Sequence, residues 1–185
     1  MEIIEKFFDE ILVIRPIIYS DPRGSLHETY NDSLLDLTPI MQRNFCLEYI
    51  SNSYKDVIRG MHYQIGLPQG KLVSAIYGKI FDVVVDMRKN STSFGQHRTI
   101  ELNDQNKNMI WIPPGFAHGF QCVSDMCMLS YKCTGSYSPT HERCVSWDDD
   151  ELSISWPNEM TPIISDKDRL GVAFECADYF ELEDL

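Results

Sequence analysis

From residue 72 to residue 134 the chain reads as a succession of short extended runs, with no long amphipathic helix between them. That pattern restricts the fold more than any other feature. Strands are expected over 72–77 and 79–87, divided by Gly78. In the second run Phe81, Val83, Val85 and Met87 share one side and Asp82, Val84 and Asp86 the other, which is the two-residue period of a strand. Further runs at 98–102, 108–112, 120–123 and 126–134 recur at the spacing of a sandwich or barrel. A parallel βαβ layout would need helices between these strands. The expectation is therefore an all-β chain: one domain over 1–185, an antiparallel barrel with an N-terminal strand arm, a C-terminal lid and a few short helices.

The flanks carry weaker signals. Residues 11–19 read as an extended opening segment, which Pro16 assigns to a sheet edge. Asp21-Pro22-Arg23-Gly24 reads as a turn and residues 26–30 as another short strand. Asn31-Asp32 is placed to cap a short helix through Leu37, ended by Pro39. Loops are expected at Lys89-Asn90-Ser91, Trp156-Pro157 and Thr161-Pro162, and a short helical turn at 166–170.

Charge narrows the partners. A formal net charge of −12 repels nucleic acid and anionic membrane surfaces, so neither is expected as a partner. It leaves room for a small anionic ligand held by a local cluster of cations. The excess acid lies in Asp148-Asp149-Asp150-Glu151 and in the tail from Glu181 to Asp184, both read as solvated surface. No apolar run is long enough to span a membrane, and the first residues lack the layout of a signal peptide, so a cytoplasmic location is expected. None of the six cysteines forms a Cys-x-x-Cys pair. They read as buried, reduced thiols rather than a zinc or disulfide framework.

Two segments concentrate chemistry, Arg59-Gly60-Met61-His62-Tyr63-Gln64 and Trp111-Ile112-Pro113-Pro114-Gly115-Phe116-Ala117-His118-Gly119-Phe120. His62, placed just before a strand, is a candidate general base. A base of this kind needs a carboxylate to fix its tautomer, and any of 28 acids could supply it. Arg59, Lys71 and Lys167, each beside a turn-forming residue, are candidate anion contacts. Tyr131, in a strand run, is either a core ring or a phenolic acid. Tyr137, in Gly135-Ser136-Tyr137-Ser138-Pro139, is placed to stack on a base or sugar. Pro113-x-Gly115-x-x-His118 resembles the second half of the metal-binding cupin pattern, but the first half reads His62-Tyr63-Gln64 and lacks its second histidine. A metal-dependent cupin oxygenase or isomerase is thus the competing reading, one ligand short of the usual three. A non-catalytic binding module has no need of the base and the phenol.

Segments 59–64, 69–73, 81–88, 111–120, 131–134 and 137–139, with Trp147-Asp148-Asp149, resemble the dTDP-4-dehydrorhamnose 3,5-epimerase family in the same order, from about Arg23 to Asp168. The resemblance implies a metal-free, cofactor-free cupin-type jelly-roll barrel, a homodimer with exchanged N-terminal strands, and a nucleotide-diphospho-4-keto-6-deoxyhexose as substrate. It implies inversion at C3, at C5 or at both through an enolate. By position His62 matches the base, Asp168 the carboxylate that orients it, Lys71 the lysine near the enolate oxygen, and Tyr131 the acid on the opposite face. Arg23, Glu28, Arg59, His118, Glu142 and Lys167 match substrate-binding positions, and Tyr137 the ring that stacks on the base. The chain departs from the family at Leu47-Glu48-Tyr49, where Gln-Asp-Asn is usual. That leaves open which base is gripped, and whether one centre or two are inverted.

Overall fold

A computed structural model describes residues 1–31, 45–157 and 161–185. The expected helix starting at Asn31-Asp32 falls outside the described residues. In chain order the strands are β1 (Glu2–Phe7), β2 (Ile11–Arg15), β3 (Ile18–Asp21), β4 (Gly24–His27), β5 (Leu47–Tyr54), β6 (Ile58–Gln64), β7 (Lys71–Tyr77), β8 (Lys79–Asp86), β9 (His97–Asn103), β10 (Met109–Ile112), β11 (Phe116–Cys122), β12 (Met126–Cys133) and β13 (Glu142–Cys144). One sheet runs β1-β2-β10-β7-β12-β5 and a second runs β13-β6-β11-β8-β9, while β3 and β4 form a separate hairpin. Among the described residues every ladder between these strands is antiparallel, and from β5 onward the chain passes repeatedly between the two sheets, as the all-β jelly roll requires.

Both faces of the central strands are buried, because each sheet is covered twice. Ile11 and Val13 of β2 point between the sheets, with Val73, Val84, Ile110, Phe120 and Leu129. Leu12 and Ile14 point the other way, with Leu72, Met109 and Trp111, and Ile3, Tyr30 and Phe45 pack against them. On the far side of the second sheet Met61, Val83, Val85 and Met87 pack under Leu152, Phe174 and Phe180 of the C-terminal segment. Parallel bridges pin that segment at Val57–Ile163, Val145–Val172 and Arg88–Phe180. It contains the short helix α1 (Asp166–Arg169), whose N-cap Ser165 accepts the Asp168 backbone N–H.

Several expectations are corrected. β2 is an interior strand: each apolar side chain it buries contributes about 1.5–3 kcal/mol, and Pro16 lies just past its end, where it withholds no ladder hydrogen bond. β3 and β4 replace the single run expected at 26–30. β1, β5 and β6 appear where no strand was expected, β11 begins at Phe116 rather than 120, and His62 lies within β6 rather than before it. All six cysteines are free, but only Cys122, Cys127 and Cys133 are buried. Cys46 and Cys176 are exposed and Cys144 is half-buried, since they lie before the barrel, in a surface turn and on the short edge strand β13. Asp149, within a run read as solvated surface, instead accepts hydrogen bonds from the backbone N–H groups of Glu151, Leu152 and Phe174. Among the described residues no helix is long and apolar enough to cross a membrane.

Candidate active site

A cavity of about 280 Å³ opens between the two sheets, lined by Arg59 and His62 from β6, Lys71 from β7, His118 from β11, Tyr131 from β12, Glu142 from β13 and Tyr137 from the preceding loop. Register explains the convergence. His62 lies directly opposite His118 in the β6–β11 ladder, so both rings leave the sheet on the same side. The two strands approach closely beside this pair because glycines face one another: a Cβ on Gly60, at φ +129°, would lie 2.5 Å from the Gly119 Cα. Only glycine is tolerated there. A register shift between His118 and Phe120 accompanies the contact.

The His62 imidazole is held by Asp168. Nε2 lies 2.8 Å from Asp168 Oδ1, and Asp168 Oδ2 accepts the Gly60 N–H at 3.2 Å. The carboxylate is almost fully buried while the ring is partly open to the cavity. Burial alone would push the Asp168 carboxyl up. The hydrogen bond and charge of His62, together with the Gly60 N–H, outweigh burial and hold it below the usual carboxylate range. Asp168 is thus an anion facing Nε2, which places the ring proton on Nε2 and a lone pair on Nδ1.

The other side chains are set by desolvation. Lys71 is buried, its Nζ donating to the His62 carbonyl at 3.2 Å. Burial lowers its pKa below the ordinary lysine value, and the acidic groups of Cys133, Glu142 and Asp82 offset only part of that. Burial pushes the Tyr131 phenol far above the usual range, so it keeps its proton at any physiological pH. Its ring is stacked on Tyr49, with centroids 4.8 Å apart and planes 19° apart. Lys167 and Glu142 pair at 2.7 Å, and Tyr137 Oη donates to the second Glu142 oxygen at 2.8 Å. Arg59 is anchored through Nε to Ser53 Oγ and through Nη2 to the Asn52 carbonyl, both at 3.0 Å.

Nine of the eleven expected site residues therefore form one constellation: seven line the cavity, and Asp168 and Lys167 bond to two of those seven. Arg23 and Glu28 do not line it. Arg23 is on the β3–β4 hairpin, paired with Asp21 at 2.5 Å, and Glu28 follows the hairpin. Sequence reasoning missed Asp82, whose Oδ2 lies 2.8 Å from His118 Nε2 in a second buried His–carboxylate pair. An acid flanked by apolar residues on a doubly covered strand was the available signal, since a buried charge needs a partner.

The cupin-like metal set is not assembled. Gln64 is engaged by the Leu67 and Ser136 carbonyls and the Ser138 N–H, and His118 by Asp82. Among the described residues His118 belongs to no convergent group of metal-binding side chains.

Comparison with known proteins points to one family. The family model described as dTDP-4-dehydrorhamnose 3,5-epimerase matches residues 5–175. The Pseudomonas aeruginosa dTDP-4-dehydrorhamnose 3,5-epimerase is 43% identical over 171 residues, covering 92% of this chain and 94% of that one. Its counterpart from Methanothermobacter thermautotrophicus is 44% identical over 168 residues, 90% of each. The crystal structure of dTDP-6-deoxy-D-glucose-3,5-epimerase from Legionella pneumophila in complex with dTDP-4-keto-L-rhamnose superposes with a TM-score of 0.92 at 40% identity, covering 96% of this chain and 94% of that one.

Proposed function

The chain belongs to the dTDP-4-dehydrorhamnose 3,5-epimerase family, and from that premise we propose that it inverts C3 and C5 of a dTDP-4-keto-6-deoxyhexose. Both carbons flank the C4 ketone, so loss of a proton from either gives an enolate. His62 removes the proton through Nδ1, and Asp168 steadies the imidazolium that forms. Lys71, whose desolvated ammonium is a stronger acid than usual, supports the enolate oxygen. Tyr131 returns a proton to the opposite face, its phenol kept protonated by burial. The observation that carries this reading is that His62 and Tyr131 line one and the same cavity, as a base and an acid acting on opposite faces of one ring must. Arg59 and His118 hold the sugar-phosphate part, with Glu142 and Lys167 at the rim. Tyr137, 54% exposed, is the platform for the nucleotide base.

The hairpin supports a homodimer. Ile17, Tyr19 and Leu26 are 55%, 58% and 72% exposed, more apolar surface than one short arm keeps in water. Docking that arm on a second copy covers it and carries Arg23 and Glu28 toward the copy's cavity. Six free thiols accord with a reducing cytoplasm.

The test is proton NMR in heavy water with dTDP-4-keto-6-deoxyglucose. His62→Ala should abolish exchange at C3 and C5 while nucleotide binding persists. Undiminished exchange would remove His62 as the base.

A further inference from the structure

Cys144 lies directly opposite His62 in the β13–β6 ladder, so both side chains leave the sheet on the same side. Its Sγ, a ring nitrogen of His62 and a carboxylate oxygen of Asp168 all lie within 4.8 Å of one another. The epimerase reading uses the histidine and the acid and gives the thiol no part. We propose that these three side chains form a binding site for a thiophilic divalent cation, zinc above all, which silences the enzyme by taking the His62 nitrogen that now bonds Asp168.

The donor set is the first argument. One thiolate, one imidazole and one carboxylate suit zinc and leave a fourth position for water. Bonds of about 2.0–2.3 Å put tetrahedral ligand atoms roughly 3–4 Å apart, so closing the group needs displacements of only about 1 Å. The surrounding shell is the second argument. With Oδ1 on the cation, Asp168 Oδ2 keeps the Gly60 N–H, and Ser165 keeps the backbone of α1 in place. Charge is the third. The Lys167 ammonium is already paired with Glu142 at 2.7 Å, and Asp168 brings an anionic oxygen to the site, against which the Lys71 ammonium on the His62 carbonyl is the opposing charge. Access is the fourth, since Cys144 is only half-buried and His62 faces the cavity.

The proton count shows why binding silences the site. The Cys144 thiol gives its proton to water as the metal–sulfur bond forms. The cation takes the Nε2 lone pair, and the ring's single proton moves to Nδ1. One proton is released per cation, and the neutral ring has no lone pair left for a sugar C–H. This step rests on the proposed role of His62, whereas the binding site itself does not.

The experiment titrates cobalt(II), a spectroscopic stand-in for zinc, into the full-length reduced protein carrying Cys46→Ser and Cys176→Ser to remove the exposed thiols, with and without Cys144→Ala. A thiolate-to-cobalt charge-transfer band saturating at one equivalent is expected, and its loss in Cys144→Ala. Cys144→Ser, nearly the same volume, repeats the test should alanine unsettle the strand. Zinc should suppress solvent exchange into dTDP-4-keto-6-deoxyglucose, and either Cys144 variant, which loses a direct ligand, should need more zinc by at least the about 10–100-fold that loss of an outer-shell partner costs, with its metal-free exchange unchanged. Absence of the band, or an equal band and equal zinc sensitivity without Cys144, overturns the site. A band with exchange untouched by zinc overturns the silencing. Failure of the metal-free protein to exchange at all counts instead against the epimerase reading, and the cobalt band still reports on the site.

Discussion

Replacing Asp168 by asparagine should do more harm than removing its side chain altogether. The carboxylate has two donors to satisfy, His62 Nε2–H at 2.8 Å and the buried Gly60 N–H at 3.2 Å. An amide offers one acceptor oxygen. A buried backbone N–H left without an acceptor costs about 1–3 kcal/mol, so the oxygen of asparagine should turn to Gly60 and its NH₂ to His62. That NH₂ donates to Nε2, drives the ring proton to Nδ1 and leaves no lone pair facing the sugar. A wrong tautomer of this kind lowers turnover about 10⁴-fold where a His–Asp pair acts as base, or about 5.4 kcal/mol in the barrier. Asp168→Ala leaves the ring poorly aimed but free to take either tautomer, and a misplacement of that sort costs about 10²-fold. The assay is the initial rate of deuterium incorporation at C3 and C5 in heavy water, with near-ultraviolet circular dichroism to confirm that both variants are folded. An Asp168→Asn rate within tenfold of wild type, or above that of Asp168→Ala, would refute the tautomer argument.

Tyr131→Phe should retain exchange while forming little inverted product, read as the ratio of deuterium incorporated to epimer formed. Wild-type epimer yield would assign the proton to another group. Asp86→Ala should destabilise the protein by about 3–5 kcal/mol, because the buried carboxylate holds Arg88 through two bonds of 2.8 and 2.7 Å and accepts from Ser91 and Ser93. The urea midpoint measures it. The depressed pKa of Asp168 stabilises the fold above the unfolded carboxylate value, about 4, and that contribution is lost as pH falls through the lower folded value. The acid limb of the stability–pH curve should therefore be shallower in Asp168→Asn than in wild type.

What the sequence conveyed depended on how far each signal reached. The strands from β7 to β12 were legible, β11 only in its second half, because short apolar runs and the alternation seen in β8 are local signals. β6 was not, since Arg59, Gly60 and His62 break its apolar pattern in order to build the site. β5 was hidden by polar residues on both faces, and Pro16 misplaced β2 because a proline one residue outside a strand looks like one at its edge. The His62–Asp168 contact joins residues 106 apart, and no spacing rule reaches that far. Family likeness supplied it. The His118–Asp82 pair, 36 residues apart, was supplied by neither.

The orienting acid arrives on a strap that closes over the barrel only after every strand has been made. During synthesis, then, the ribosome extrudes the strands that bear the imidazole, the phenol and the lysine before the carboxylate that steadies the imidazole. A nascent chain halted before residue 165 would carry most of the pocket's lining and leave His62 without its acidic partner.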